Sequence, residues 1–289
     1  FDISMLELFL PLVGGAEAVV AAKATVADPA QLMHVIEDAN ITVMQATPSM
    51  WRTLLDQDWS GSGLRLALCG GEPFPDDLRA QLTAAVGEVW NMYGPTETTI
   101  WSTCTQVESH GVIHIGRPIA NTQIRIRDAR NRDLPPGVPG ELLIGGDGLA
   151  RGYLNQDELT REKFTGDTRR LYRTGDLARW TASGLLIHMG RIDNQVKVRG
   201  YRIELGEIEA RLAEHPAISE CAVTVVEHRP GDQRLVAFYV LEGAASPSFS
   251  ELHSFLKARI PAYMLPQHFS ELERLPLTPN AKLDRKALP

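Results

Sequence analysis

The amino-acid sequence predicts an α/β protein: part of a doubly wound parallel sheet, then a small β-barrel-like unit, then a small α+β domain at the carboxy terminus. Three observations carry this. Up to about residue 105, apolar runs of strand length alternate with helical patterns. Between 111 and 190, short alternating segments are separated by turn residues such as Pro135, Pro136 and Gly137. Beyond Asp193, strands and amphipathic helices follow one another to the end. The expected boundaries are 1–192, divided into a parallel α/β part (1–110) and a β-rich part (111–192), and 193–289.

In order along the chain, residues 5–12 have a helical pattern ended by Gly14 and Gly15, and 18–22 read as a short buried strand. Asp28 before Pro29 is a helix start, because proline loses nothing at the first helical position; the helix should run to Asn40. Strand 41–46, helix 49–57, strand 65–69, helix 75–85 and strand 88–92 follow. Ligands of such sheets sit outside the carboxyl ends of the strands, so the loops 45–48, 70–73 and 93–98 should converge on one edge. Segments 123–127, 141–144 and 185–188 supply the β-rich part. After Asp193 come two strands, a helix at 205–214 with Leu205, Ile208 and Leu212 on one face, strands at 218–227 and 235–241, and a helix near 250–258.

Composition narrows the function classes. At 289 residues and 44% hydrophobic, the chain can fill more than one core. A net charge of -7 offers no general attraction to a phosphate backbone, which argues against nucleic acid as a partner. The longest apolar runs, such as 235–241, are far too short to span a bilayer, and the sequence opens on Phe1 and Asp2 rather than on a basic segment and apolar stretch; neither membrane nor secretion is suggested. Cys69, Cys104 and Cys221 are isolated and odd in number, fitting neither a disulfide framework nor a zinc site, so a reducing cytoplasm is the simplest reading. The eight histidines show no paired metal spacing.

Four segments carry the chemistry. Residues 91–97 (NMYGPTE) combine a strand end, a forced turn and a carboxylate. Segments 172–177 (YRTGDL), 190–209 (GRIDNQVKVRGYRIELGEIE) and 280–285 (NAKLDR) complete the pattern. Together they closely resemble the adenylation domain of nonribosomal peptide synthetases, within the adenylate-forming superfamily. The resemblance spans nearly the whole chain, while the family's amino-terminal half has no counterpart. It implies activation of a carboxylic acid with ATP and Mg²⁺ and transfer to the phosphopantetheine thiol of a peptidyl carrier protein, beside neighbouring synthetase domains. Residues 1–192 would be the carboxy-terminal part of the adenylation core, and 193–289 a hinge and mobile terminal domain.

On that resemblance, Asn91 meets the adenine amino group, Tyr93 stacks on the base, Thr96 contacts phosphate, and Glu97 holds Mg²⁺, a hard ion that takes carboxylate oxygen. Gly71 and Glu72 of the 70–73 loop join the nucleotide side. Asp176 would accept both ribose hydroxyls, with Arg191 in support; taken singly, Asp176 is a turn residue. Asp193 falls at the family's interdomain hinge, the alternative being an ordinary salt-bridging acid. Lys282 is the catalytic candidate: its flexible stem and point charge suit bridging the substrate carboxylate and the α-phosphate. The family generally has glycine where Ala281 stands, and a positive φ there would strain alanine. Residues 145–152 (GGDGLARG) open no βαβ unit and read as turns, and there is no Walker-type sequence. The family's phosphate loop lies upstream of FDIS, so the missing amino-terminal half is itself an expected partner.

Asp2 would pair with a substrate α-ammonium, or else cap the helix at Met5. The family's pocket positions fall on Asp2, Ile3, Leu6, Gln45, Leu68, Gly70, Met92, Ile100, Trp101 and Lys282, a set resembling glycine-activating domains. Leu6, Gln45, Met92 and Trp101 are bulky and would occupy the space a side chain needs, leaving alanine as the expected leak. Two alternatives stand beside this: a coenzyme A ligase for another small acid, against which Asp2 and the pocket set argue, and a noncatalytic binding or scaffold piece, suggested by the missing half.

Overall fold

The computed structural model describes residues 2–61, 63–166, 169–193, 195–229, 232–243, 246–277 and 283–289. The fold is mixed α/β with several sheets, and the chain divides into two compact units, Phe1–Asp193 and Asn194–Pro289.

The first unit opens with helices α1 (Ile3–Val13), α2 (Lys23–Ala27) and α3 (Pro29–Asp38). Then β1 (Val43–Ala46), α4 (Pro48–Leu55), β2 (Leu66–Gly70), α5 (Asp76–Ala85) and β3 (Glu88–Tyr93) alternate, followed by β4 (Thr103–Gln106) and β5 (Arg117–Pro118). The five strands lie side by side in chain order. β1, β2 and β3 are parallel, whereas β4 and β5 add an antiparallel edge. Helix starts follow local chemistry: Asp28 Oδ1 accepts from the Ala30 and Gln31 N–H groups at 3.1 and 3.3 Å, and Thr47 Oγ1 from Met50 N–H at 3.3 Å. In each case proline fills the first helical position. Side chains alternate along a strand, so Ala67, Cys69 and Val89 enter a core with Leu32, Ile36, Trp51, Leu54, Leu78 and Leu82. Gln45, Leu68, Gly70 and Met92 are left on the opposite face.

Residues 18–22 do not form the expected strand. Val19 and Val20 are exposed, and no described strand lies alongside to receive their backbone groups, so the short apolar run stays irregular.

The second sheet contains β6 (Thr122–Arg127), β7 (Gly140–Gly146), β8 (Phe164–Thr165), β9 (Leu171–Trp180) and β10 (Leu186–Arg191), with α6 (Asp157–Lys163) before β8. It is antiparallel in the order β10-β9-β7-β6, and β8 pairs with β9. Its core of Ile126, Leu142, Ile144, Ala178 and Leu186 includes Tyr93 and Ile115. The β-rich character is as expected, but the barrel is not: among the described strands β6 and β10 do not pair.

The second unit begins with the hairpin β11 (Gln195–Val198) and β12 (Tyr201–Glu204), whose two turn residues, Arg199 and Gly200, both have positive φ, as the tightest hairpin turns require. Helix α7 (Leu205–Leu212) buries Leu205, Ile208 and Leu212 against Val223, Leu235 and Ala237. Those come from the long antiparallel pair β13 (Ile218–Arg229) and β14 (Asp232–Leu241). Helix α8 (Phe249–Lys257) starts in a reciprocal Ser248–Glu251 cap, and β15 (His268–Glu271) joins β14 in parallel.

The last residues are pinned by charge. Arg285 Nη1 and Nη2 donate to Glu209 Oε1 and Oε2 at 2.7 and 2.9 Å, and Nη1 also donates to the Val223 carbonyl at 2.5 Å. Glu209 Oε1 in turn accepts the Val223 N–H at 2.6 Å. This pair ties the tail to α7 and β13 with fork-to-fork geometry. Arg285→Ala should lower the stability of this unit by about 1.5–3 kcal/mol, the scale of hydrogen bonds to charged groups. Urea unfolding checks it; a loss under about 0.5 kcal/mol would mean the pair behaves as a solvated surface contact.

Candidate active site

The carboxyl end of β3 is where the chain folds back on itself. A Cβ at Gly94 would lie 2.3 Å from the Ile100 carbonyl oxygen and 2.7 Å from Trp101 Cα, so only glycine permits the approach. After a short helical turn at Thr96–Thr98, Thr99 and Ile100 both stand in the left-handed region, at φ 61° and 68°. For β-branched residues this conformation costs about 1–3 kcal/mol each and must be held by its surroundings. Thr99 Oγ1 donates to the Gly148 carbonyl at 2.7 Å, and the Ile100 N–H donates to Asp2 Oδ2 at 3.2 Å.

That bend delivers Trp101 onto the face holding Gln45, Leu68, Gly70 and Met92. The indole covers Gly70: a Cβ there would lie 2.4 Å from Trp101 Cη2 and 2.8 Å from Cζ3. Trp101 Nε1 donates to Gln45 Oε1 at 3.0 Å. Asp2 does two jobs at the edge of this cluster, since its Oδ1 also accepts the Ile3 N–H at 3.0 Å and caps α1. Ile3 and Leu6, on α1, are half-buried.

The opposite face of β3 builds a second cluster. Asn91 is buried and its Nδ2 donates to the His114 carbonyl at 3.0 Å. Tyr93 Oη donates to Asp176 Oδ2 at 2.5 Å across 83 positions of sequence. Asp176 Oδ1 meets His188 Nε2 at 3.2 Å and Arg191 Nη1 at 3.0 Å. Arg191 also grips Asp193 through Nε and Nη2, both at 2.6 Å, and donates to the Thr174 carbonyl at 3.1 Å. Gly175 leaves room for this: a Cβ there would lie 2.7 Å from both Arg191 Nη2 and Asp193 Oδ2.

In the connecting loops, Gly71 has φ 85° and Thr96 is exposed. Glu72 Oε2 accepts the Ser49 N–H at 3.1 Å and the Ser49 hydroxyl at 2.6 Å, which engages it with the first turn of α4. Glu97 is 8% exposed, and its Oε1 accepts the Tyr153 hydroxyl at 2.6 Å. Among the described residues no group of three His, Cys, Asp or Glu could hold a metal. A lone carboxylate nevertheless suits Mg²⁺, which retains water and takes one or two carboxylates together with phosphate oxygens. Lys282 lies outside the described residues.

The structure therefore gathers Asp2, Gln45, Gly70, Ile100 and Trp101 in one place and Tyr93, Asp176, Arg191 and Asp193 in another. It adds residues the sequence did not single out: Tyr153, Thr174, His188, and Glu7, whose Oε1 accepts from Gln45 Nε2 at 3.0 Å. No signal marked His188 or Tyr153, because His188 meets Asp176 only once β10 pairs with β9, and Tyr153 meets Glu97 only once the chain after β7 folds against the turn that follows β3.

Burial raises the Asp176 carboxyl pKa, but the hydrogen bond and charge of His188 and the charge of Arg191 outweigh it, and the net value lies below the ordinary carboxylate value. Burial, then Asp176, pushes the Tyr93 hydroxyl well up, so it remains a donor. A carboxyl with a lowered folded pKa contributes stability that is present above its unfolded pKa of about 3.9 and is lost as pH falls through the folded value. Asp176→Asn should therefore flatten the fall in melting temperature on acidification below about pH 4. Identical acid slopes for the two proteins would contradict the assignment.

The AMP-binding enzyme family matches residues 1–154, and the AMP-binding enzyme C-terminal domain matches 207–282. The dimodular nonribosomal peptide synthase of Bacillus subtilis (strain 168) is 50% identical over 297 residues, covering all of this chain and 12% of that protein. A four-domain nonribosomal peptide synthetase solved with AMP and glycine is 45% identical, with a TM-score of 0.65 over 100% of this chain and 22% of that one. The Vibrio cholerae adenylation domain AlmE, solved with glycyl-adenosine-5'-phosphate, is 28% identical, with a TM-score of 0.86 over 98% of this chain and 55% of that one. The chain thus spans only part of each relative's length. With its strand-end turn, its buried tyrosine–aspartate pair and matches along both units, the chain belongs to the AMP-binding enzyme family.

Proposed function

We propose that this chain is the carboxy-terminal part of an adenylation domain that activates glycine with ATP and Mg²⁺ and passes the glycyl group to the phosphopantetheine thiol of a carrier protein. The observation that carries the reading is the Trp101 indole seated over Gly70, on a face already crowded by Gln45, Leu68 and Met92. A substrate side chain entering that space meets ring atoms. Two similar structures, solved with glycine or with glycyl-adenosine-5'-phosphate, support the same substrate.

In this reading, residues 1–192 are the core part and 193–289 the terminal domain, with Asp193 as the hinge. The glycine carboxylate attacks the α-phosphorus, an oxygen–phosphorus bond forms, and the bond to the leaving pyrophosphate breaks. Such chemistry depends mainly on positioning and on fixed charge. Asp2 balances the substrate ammonium at the edge of the pocket. Asn91, Tyr93, Thr96, Gly71 and Glu72 border the nucleotide, and Asp176 with Arg191 borders its ribose. Tyr93 is well suited because Asp176 fixes its ring through the hydroxyl. Glu97 would hold Mg²⁺, which when bound offsets the negative charge of the phosphates. Tyr153 orients that carboxylate. Lys282 is the cation proposed for the charge that builds between the carboxylate and the α-phosphate.

In the full-length protein, pyrophosphate exchange should depend on glycine, fall by about 10- to 200-fold in kcat/KM for alanine, and be absent with acetate and benzoate. Asp2→Asn keeps a good helix cap while removing the charge. It should raise the glycine KM by on the order of tenfold or more. Exchange driven by acetate would point to an acyl ligase, and a near-normal KM in Asp2→Asn would leave Asp2 as a cap alone.

A further inference from the structure

Gln45 stands between two side chains of opposite hydrogen-bonding character. Its Oε1 accepts from Trp101 Nε1 at 3.0 Å, and its Nε2 donates to Glu7 Oε1 at 3.0 Å. An indole N–H can only donate, so it requires the carbonyl end of the amide; a carboxylate can only accept, so it requires the nitrogen end. The two neighbours together select one of the two amide orientations on chemical grounds. The chain of contacts runs inward from Glu7, exposed on α1, through half-buried Gln45 on β1, to Trp101, which is 5% exposed.

We propose that Glu7 is a specificity-positioning residue: its carboxylate holds the Gln45 amide in the orientation that pins the Trp101 indole over Gly70, and so keeps the amino-acid pocket at glycine size. The inference rests on the glycine reading above and extends it to a residue outside the pocket. Without an acceptor at position 7, only the indole still selects the amide orientation, and turning the amide away from the indole no longer breaks a second hydrogen bond. The indole then loses the bond that opposes its swinging away from Gly70, and space for a methyl group opens.

Because Glu7 is exposed, replacing it removes no core packing. Glu7→Lys substitutes a donor for the acceptor; the lysine then competes with the indole for the Gln45 carbonyl oxygen, and Gln45 Nε2 loses its acceptor. Glu7→Gln can still present a carbonyl oxygen to Gln45 and serves as the rescue. The experiment places glycine and alanine in competition for adenylation by the full-length protein and measures the ratio of the two products, with separate KM and kcat values for each. In Glu7→Lys the alanine-to-glycine ratio should rise by about 3- to 10-fold, a fraction of what one methylene is worth in a rigid pocket, through a lower KM for alanine. Glu7→Gln should keep the wild-type ratio. If the wild-type protein selects glycine and Glu7→Lys selects it equally well, or loses both substrates in parallel, the role of Glu7 is overturned while the glycine reading stands. A Glu7→Gln protein that leaks like Glu7→Lys would overturn the acceptor argument. A wild-type protein that does not select glycine overturns the glycine reading, and the inference falls with it.

Discussion

The contact between the Trp101 indole and Gly70 sets the shape of everything around it. A Cβ at position 70 would sit 2.4 Å from the ring, so residue 70 can carry no side chain while the indole remains. Bringing the indole there demands an unfavourable backbone: Thr99 and Ile100 are consecutive β-branched residues with positive φ, and Gly94 must let the returning chain pass within van der Waals limits. Strain of this size persists only when neighbouring groups over-determine it. The Gly148 carbonyl and the Asp2 carboxylate supply part of the restraint, the first on Thr99 and the second on the Ile100 N–H. Asp2 thereby links the start of α1 to the bend, and α1 also delivers Glu7 to Gln45.

Strand β3 explains how one short segment can serve two clusters. Its residues alternate between faces, so Met92 joins the Trp101 side while Asn91 and Tyr93 point to the other. The Tyr93 side is an electrostatic assembly rather than a steric one. Buried Asp176 would be costly alone, but Tyr93, His188 and Arg191 all direct donors at its two oxygens. Arg191 extends the network to Asp193, the last residue of the first unit. In the proposed reaction, the steric cluster would select the acid and the charged cluster would keep the nucleotide site in register.

Much of this was readable in the sequence because its causes are local. Asp28 before Pro29 announces a helix start wherever it occurs, and the β-strand–helix alternation to Met92 needs no long-range information. The antiparallel strands β4 and β5 escaped because Thr103–Gln106 is polar and takes its shape from pairing with β3. Residues 18–22 misled for the converse reason: an apolar run looks like a strand whether or not a partner exists. The open second sheet likewise depends on whether its edge strands β6 and β10 pair, which short alternating segments do not reveal. In the candidate site, Tyr93 and Asp176 were marked by their motifs, but the bond between them, and the arrival of His188 and Tyr153, are properties of the folded chain.

In the proposed function, the Trp101 indole is the wall that excludes a substrate side chain. Trp101→Ala removes that wall and leaves Gly70 and the strand faces in place. The decisive measurement is the ratio of alanine to glycine adenylation by this variant in direct competition, in protein shown to fold. A rise of about tenfold or more, on the scale of what one methylene is worth in a filled pocket, is the predicted result. A folded Trp101→Ala protein that still adenylates glycine with unaltered preference over alanine would contradict it.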